Sequence, residues 1–205
     1  YWRFRLEKFD VCVIGAGPSG FAAAMRAIDF GKRVALVERN KVGGAGIFDG
    51  ALSSKTLWEL SESYQQTHNT NLGYTVYDSE VHFSSVMHQA HRAVAEKHVQ
   101  LKKQISYFQK TGQLTFFNGH AKFASKNEID ITDAEGAKQT IWAENTVMAV
   151  GSRPRYLPHI PIDEKIILTS DGVSSLPDFP KSIVILGAGV IGCEFATIFS
   201  NFGKT

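Results

Sequence analysis

Two short apolar runs, Asp10-Val11-Cys12-Val13-Ile14 and Ser182-Ile183-Val184-Ile185-Leu186, each lead directly into a glycine-rich stretch and then a run of small and apolar residues. An unbroken β-branched run bounded by turn formers reads as a strand buried on both faces, the pattern of a parallel sheet. The glycine stretches, Gly15-Ala16-Gly17-Pro18-Ser19-Gly20 and Gly187-Ala188-Gly189-Val190-Ile191-Gly192, predict tight turns into helices. The first helix covers Phe21 to Ile28 and is ended by Gly31; a second strand, Arg33-Val34-Ala35-Leu36-Val37, follows with Glu38 at its C-terminal end. The last helix is expected from Val190 to about Phe202.

Between these copies the period changes twice. Ser53 to about His68 reads as a helix with Leu57, Leu60 and Tyr64 on one face. Val81 to about Phe108 reads as a longer one, carrying Phe83, Val86, Met87, Ala90, Val94, Leu101, Ile105 and Phe108. Four extended segments follow, Leu114 to Phe117, His120 to Phe123, Glu128 to Ile131 and Gln139 to Trp142, with turn formers at Asn118-Gly119 and Asp133 to Gly136. They predict a small antiparallel meander. A final strand, Thr146 to Val150, runs into Gly151-Ser152-Arg153-Pro154, where glycine permits close approach of backbone to a ligand.

The glycine spacing carries chemistry. In G-x-G-x-x-G the first glycine allows the turn, the second lets backbone approach a pyrophosphate, and the third allows the helix to pack on its strand. The phosphates then meet free N–H groups and the positive end of the helix dipole. Gly15, Gly17, Pro18, Ser19 and Gly20 are therefore candidate cofactor contacts, with Glu38 placed for an adenosine ribose and its neighbour Arg39 a further candidate contact. Gly187, Gly189, Val190, Ile191 and Gly192 form the second candidate site. Two such turns imply two dinucleotides.

The expected fold class is α/β. A Rossmann-like dinucleotide-binding domain, with a parallel sheet and a small antiparallel meander, is followed by the start of a second Rossmann-like dinucleotide-binding domain. The expected boundaries are 1–154 for the first, 155–180 for a proline-marked crossover, and 181–205 for the second. A strand and one helix cannot close a nucleotide-binding half, and the first residue is Tyr1, so we expect this chain to be part of a longer polypeptide.

Composition narrows the partners. The 205 residues carry a net charge of +2, which gives no electrostatic footprint for nucleic acid or anionic lipid. No apolar run approaches the roughly 18 residues that span a bilayer, and the opening Trp2 to Lys8 segment does not resemble a secretory signal. Cys12 and Cys193 belong to no close-spaced metal or redox pair and read as packing thiols, a mild preference for a reducing, cytoplasmic setting. The long helix holds His82, His88, His91 and His98; zinc would need further ligands at definite spacing, so these read as a solvated helix face and no metal is expected.

The ordered set GAGPSG, Glu38, the Gly43-Gly44 loop with Ser54-Lys55, GHAKF, AVGSRP and GAGVIGCE resembles the flavin-dependent pyridine nucleotide-disulfide oxidoreductase family over nearly the whole chain. The resemblance implies FAD in the first domain and NAD(P)H in the second, with hydride passing between them. It adds Gly43, Gly44, His120, Ala121, Gly151 and Ser152 to the FAD contacts. It implies that Lys55 lies near the flavin and pairs with Glu194, these two being the catalytic candidates. Disulfide reductases of the family carry C-x-x-x-x-C before this lysine, and here Gly46 and Ala51 occupy the cysteine positions. Without a thiolate no disulfide exchange is available.

The motifs GSRP, Ser170-Asp171 and GAGVIGCEFATIF are similar to those of the soluble transhydrogenase branch, which moves hydride between NADPH and NAD through FAD. Alternatives stay open: a diaphorase or quinone reductase passing electrons to a small acceptor, a dihydrolipoamide dehydrogenase paralogue, or a flavoprotein scaffold without turnover. The resemblance also implies a homodimer at full length.

Overall fold

A computed structural model describes residues 6–203; Trp2 to Arg5 of the opening segment and the closing Lys204-Thr205 lie outside the described residues. The chain forms two compact units. One comprises the described residues through Ile47 with Lys97–Arg153, and the other Phe48–Glu96 with the residues from Pro154 onward.

The first unit is built on a six-stranded sheet. Its strands are β1 (Glu7–Ile14), β2 (Val34–Glu38), β3 (Leu114–Asn118), β4 (His120–Phe123), β5 (Glu128–Thr132) and β6 (Lys138–Met148), in the order β3-β2-β1-β6-β5-β4. Strands β3, β2, β1 and β6 run parallel, with Val11 beside Val34 and Val13 beside both Leu36 and Val147. Helix α1 (Pro18–Asp29) links β1 to β2. All five residues of β2 are buried, as a strand in the middle of a covered parallel sheet requires. Phe9, Cys12, Val37, Phe117, Ile129, Ile131 and Ile141 close the core, with Phe9 and Phe117 edge to face at 5.9 Å.

Two expectations for the extended segments are corrected. Leu114 to Phe117 does not join the meander; as β3 it is a parallel edge strand on β2, while β4, β5 and the first half of β6 pair antiparallel. Gln139 to Trp142 and Thr146 to Met148 are one strand of 11 residues, which pairs with β5 at its start and with β1 along its length. Glu144 and Asn145 are exposed there, so they interrupt the apolar pattern without interrupting the backbone ladder.

The second unit packs helix α3 (Ala51–Gln66), the start of α4 (Phe83–Lys110) and α5 (Val190–Asn201). Leu57, Phe83, Val86, Met87, Ala90, Ile198 and Phe202 form its core, and Phe179 stacks on both Phe83 and Phe202. Ser182 to Leu186 does not form the expected strand. A strand needs a neighbour for its N–H and C=O groups. No described strand lies alongside it, and Val184 and Leu186 are 87% and 73% exposed. No described helix is long and apolar enough to cross a membrane.

The two thiols differ sharply. Burial in β1 pushes the Cys12 thiol up to about 12, whereas Cys193 is exposed on α5. The thiolate is the reactive form, so at pH 8 a maleimide is expected to modify one thiol per folded chain and two after denaturation. Rapid labelling of both in the folded state would show that β1 is not buried.

Candidate functional site

The first glycine turn sits where β1 ends between β2 and β6, the point at which chain order across the sheet reverses. Open α/β sheets bind ligands outside the carboxyl ends of strands at such a point. Gly15 has φ 102°, and a side chain on it would run into the Ala149 carbonyl. Its N–H donates to the Val37 carbonyl at 2.8 Å, and the Ala149 N–H donates to Ile14 at 2.8 Å, so the turn is held from both neighbouring strands. A Cβ on Gly20 would meet the Gly15 carbonyl, which explains the third glycine: helix and strand touch backbone to backbone. Gly17 is the N-cap of α1 and has no side-chain cap, and Pro18 opens the helix. A Cβ on Gly17 would have no heavy atom within 4 Å. An uncapped helix start beside open space fits an anion such as a pyrophosphate.

Glu38 closes this turn from the end of β2. One carboxylate oxygen accepts the Ala16 N–H at 2.7 Å and the other the Asn40 N–H at 2.8 Å. Each oxygen keeps further lone pairs that a ribose hydroxyl could use. The Val42-Gly43-Gly44 loop comes against the same turn: the Gly43 N–H donates to Ala16 at 2.8 Å, and a Cβ on Gly44 would lie 3.2 Å from the Gly17 Cα. Gly44 opens a short helix, α2 (Gly44–Phe48), which the glycine-rich sequence conceals. Within it Gly46 packs on the Pro18 ring, which a side chain at that position would strike.

The second turn repeats this backbone geometry. Gly187 has φ 108°, and a Cβ on Gly192 would meet the Gly187 carbonyl, as Gly20 does with Gly15. Gly189 is an uncapped N-cap with φ −75° and ψ 175°, against −69° and −176° at Gly17. Val190 and Ile191, the first residues of α5, are 81% and 54% exposed.

On the next turn of α5 Glu194 meets α3. Lys55 Nζ donates to Glu194 Oε1 at 2.5 Å, and Ser54 Oγ donates to the same oxygen at 3.0 Å. The carboxylate side chain is 12% exposed and the lysine 61% exposed. Chemically this is a partly buried carboxylate with one neutral donor and one solvated cation. The family resemblance pairs Lys55 with Glu194 but assigns Ser54 no role; a serine in the first turn of a helix ordinarily bonds nearby backbone, so its partner 140 residues away leaves no local signal.

The remaining candidates lie apart from these contacts. His120 is exposed at the start of β4 opposite Thr132, and Ala121 is half-buried against the core. Gly151 follows β6 with φ 71° and open space around it, and Ser152 and Arg39 are exposed. Asp171, at the start of a 3-10 turn, has its pKa raised by burial first and then by the Asp49 carboxylate. His82, His88 and His91 are exposed, but His98 is half-buried and bonds the Val42 carbonyl, so it does not belong to a solvated face.

Known proteins resemble the chain in sequence and fold. Dihydrolipoyl dehydrogenase from Trypanosoma brucei brucei is 33% identical over 202 residues, covering 97% of this chain and 41% of that protein. The mitochondrial dihydrolipoyl dehydrogenases of Pisum sativum and Homo sapiens are 32% and 33% identical, covering 97% and 95% of this chain and 39% and 38% of theirs. The chain thus spans about two fifths of these relatives. LpdA from Mycobacterium tuberculosis matches with a TM-score of 0.82 at 20% identity, over 97% of this chain and 43% of that one. A Cu(II) complex of the flavoprotein disulfide reductase RclA from Escherichia coli matches with a TM-score of 0.76 at 24% identity, over 98% and 42%. These two likenesses speak for the fold. The family model for pyridine nucleotide-disulphide oxidoreductases matches residues 9–205, and the glycine turns and the Lys55–Glu194 pair fall inside that span; the chain belongs to the pyridine nucleotide-disulphide oxidoreductase family.

Proposed function

We propose that this chain supplies the FAD site and the start of the NAD(P) site of an oxidoreductase that moves hydride between a nicotinamide dinucleotide and flavin without a redox disulfide. The Lys55–Glu194 contact carries the reading, because it joins two motif residues 139 positions apart in the arrangement the family motif implies. Bound FAD supplies an isoalloxazine ring that accepts and returns hydride. The α1 N-terminus would hold the flavin's pyrophosphate and Glu38 its ribose, and the α5 N-terminus would hold the nicotinamide dinucleotide. Lys55 provides a positive charge for the flavin, and Glu194 fixes that charge.

The missing sulfur favours transhydrogenase-like or diaphorase-like chemistry over reduction of lipoamide, although the relatives described above are dihydrolipoyl dehydrogenases. Gly46 and Ala51 stand at the two cysteine positions, and on this backbone a Cβ at position 46 would strike the Pro18 ring. Neither Cys12, locked in β1, nor Cys193, on α5, lies in that loop.

The test is anaerobic. A polypeptide that carries this chain together with a complete nicotinamide-binding half, reconstituted with FAD, is mixed with NADPH or NADH and then with thio-NAD. The expected result is loss of flavin absorbance followed by thio-NADH formation, with no added turnover from lipoamide. Lipoamide-dependent turnover would overturn the sulfur-free reading, and quinone turnover without thio-NADH would replace transhydrogenation by a quinone reductase. A flavin inert to both nucleotides would leave a binding scaffold.

A further inference from the structure

We propose that His98 is a positioning residue for the flavin phosphates, holding the Val42–Gly44 loop in the shape that the first glycine turn requires. The proposal rests on the reading of that turn as an FAD site. His98 stands on α4, and its Nδ1 lies 2.8 Å from the Val42 carbonyl, 56 residues away in sequence. The bond requires a proton on Nδ1, because a carbonyl only accepts.

The loop needs such a tie. Gly43 and Gly44 adopt φ values of 110° and 53°, two consecutive residues in conformations that an unfolded glycine chain leaves readily. Val42 is 6% exposed, so its carbonyl has little access to water as an alternative donor. Directly after it the Gly43 N–H bonds Ala16 in the middle of the fingerprint, and Gly44 abuts Gly17. Ala16 in turn donates to Glu38. A continuous chain of hydrogen bonds therefore runs from the imidazole through the loop and the glycine turn to the carboxylate at the end of β2. Releasing Val42 frees the loop that forms one wall of the open space at Gly17. In this chain of bonds the effect of the imidazole passes through the Val42 carbonyl.

FAD titration of the apo chain, followed by flavin fluorescence, tests the assignment together with the rate of FAD release and the thermal midpoint of the apo form. For His98→Ala the expected result is about a tenfold weaker FAD affinity, the scale of one lost hydrogen bond to a buried carbonyl. His98→Asn places an amide N–H where Nδ1–H stood and is expected to restore affinity to within about twofold, whereas His98→Gln carries its amide one bond farther and does not. Equal affinity in His98→Ala and the unmodified chain would overturn the proposal, as would equal weakening in the Ala and Asn variants, which would point to packing. If His98→Ala does not fold, the contrast between Asn and Gln decides. Failure of the unmodified chain to bind FAD would overturn the FAD reading itself, and this proposal with it.

Discussion

Glu38→Ala is expected to remove about 3 kcal/mol of folding stability and to abolish FAD retention on gel filtration, because hydrogen bonds to a charged acceptor are worth roughly 1.5–3 kcal/mol each. Glu38 accepts two such bonds from backbone N–H groups while only 9% exposed. The two losses are unequal. Ala16 is fully buried, so its N–H would be left without water, whereas Asn40 is exposed and its N–H can be hydrated. Most of the cost therefore falls on the glycine turn, which is the part that must meet the phosphates. Glu38→Gln separates charge from shape: its amide oxygen can satisfy one N–H, but its NH2 faces the other N–H donor to donor. It is expected to recover less than half of the loss. Urea denaturation of the apo chain gives the stability term and FAD titration the binding term. An unchanged urea midpoint for Glu38→Ala would mean that the turn holds its shape without the carboxylate.

The elements most legible in the sequence are those whose partners are implied by their own periodicity. The positions expected to form the apolar face of α4 from Phe83 to Ile105 are buried, and α1 and β2 begin and end within a few residues of expectation. The glycine turns were legible because each glycine answers a local steric demand, visible at Gly15 and Gly20 as contacts with backbone. Strand partnership was not legible. Nothing in Leu114 to Phe117 distinguishes an edge of the parallel sheet from a meander strand, since the same apolar residues suit either, and the choice is made by β2, whose partner residues lie 80 positions earlier. Ser182 to Leu186 shows the converse: an apolar run has strand propensity, but without a neighbour its groups do not form a ladder. The site divided in the same way. Glu38 is legible from its spacing to the glycines and Lys55 and Glu194 through the family resemblance, whereas Ser54 and His98 act through long-range hydrogen bonds that no short pattern encodes.

Lys55→Met is expected to lower the flavin's two-electron reduction potential by about 30 mV and to slow its reduction by NAD(P)H about tenfold, each corresponding to roughly 1.4 kcal/mol. That figure is a screened one, well below a buried unit charge, because the Lys55 side chain is 61% exposed and water damps its field. The direction follows from charge. Lys55 and Glu194 together are neutral, and removing the ammonium leaves a carboxylate whose remaining donor is the Ser54 hydroxyl. Electrons arriving on a ring served by this pair would then meet an uncompensated negative charge instead of a neutral pair. The variant also separates a redox role from a structural one. As a solvent-exposed link between α3 and α5 the pair contributes at most about 1 kcal/mol to stability, so the thermal midpoint should move little while the potential moves clearly. Lys55→Arg keeps the charge and is expected to keep the potential, whatever it does to packing. A Lys55→Met chain that binds FAD normally, with potential and reduction rate unchanged, would assign the pair to holding the two helices together and nothing more.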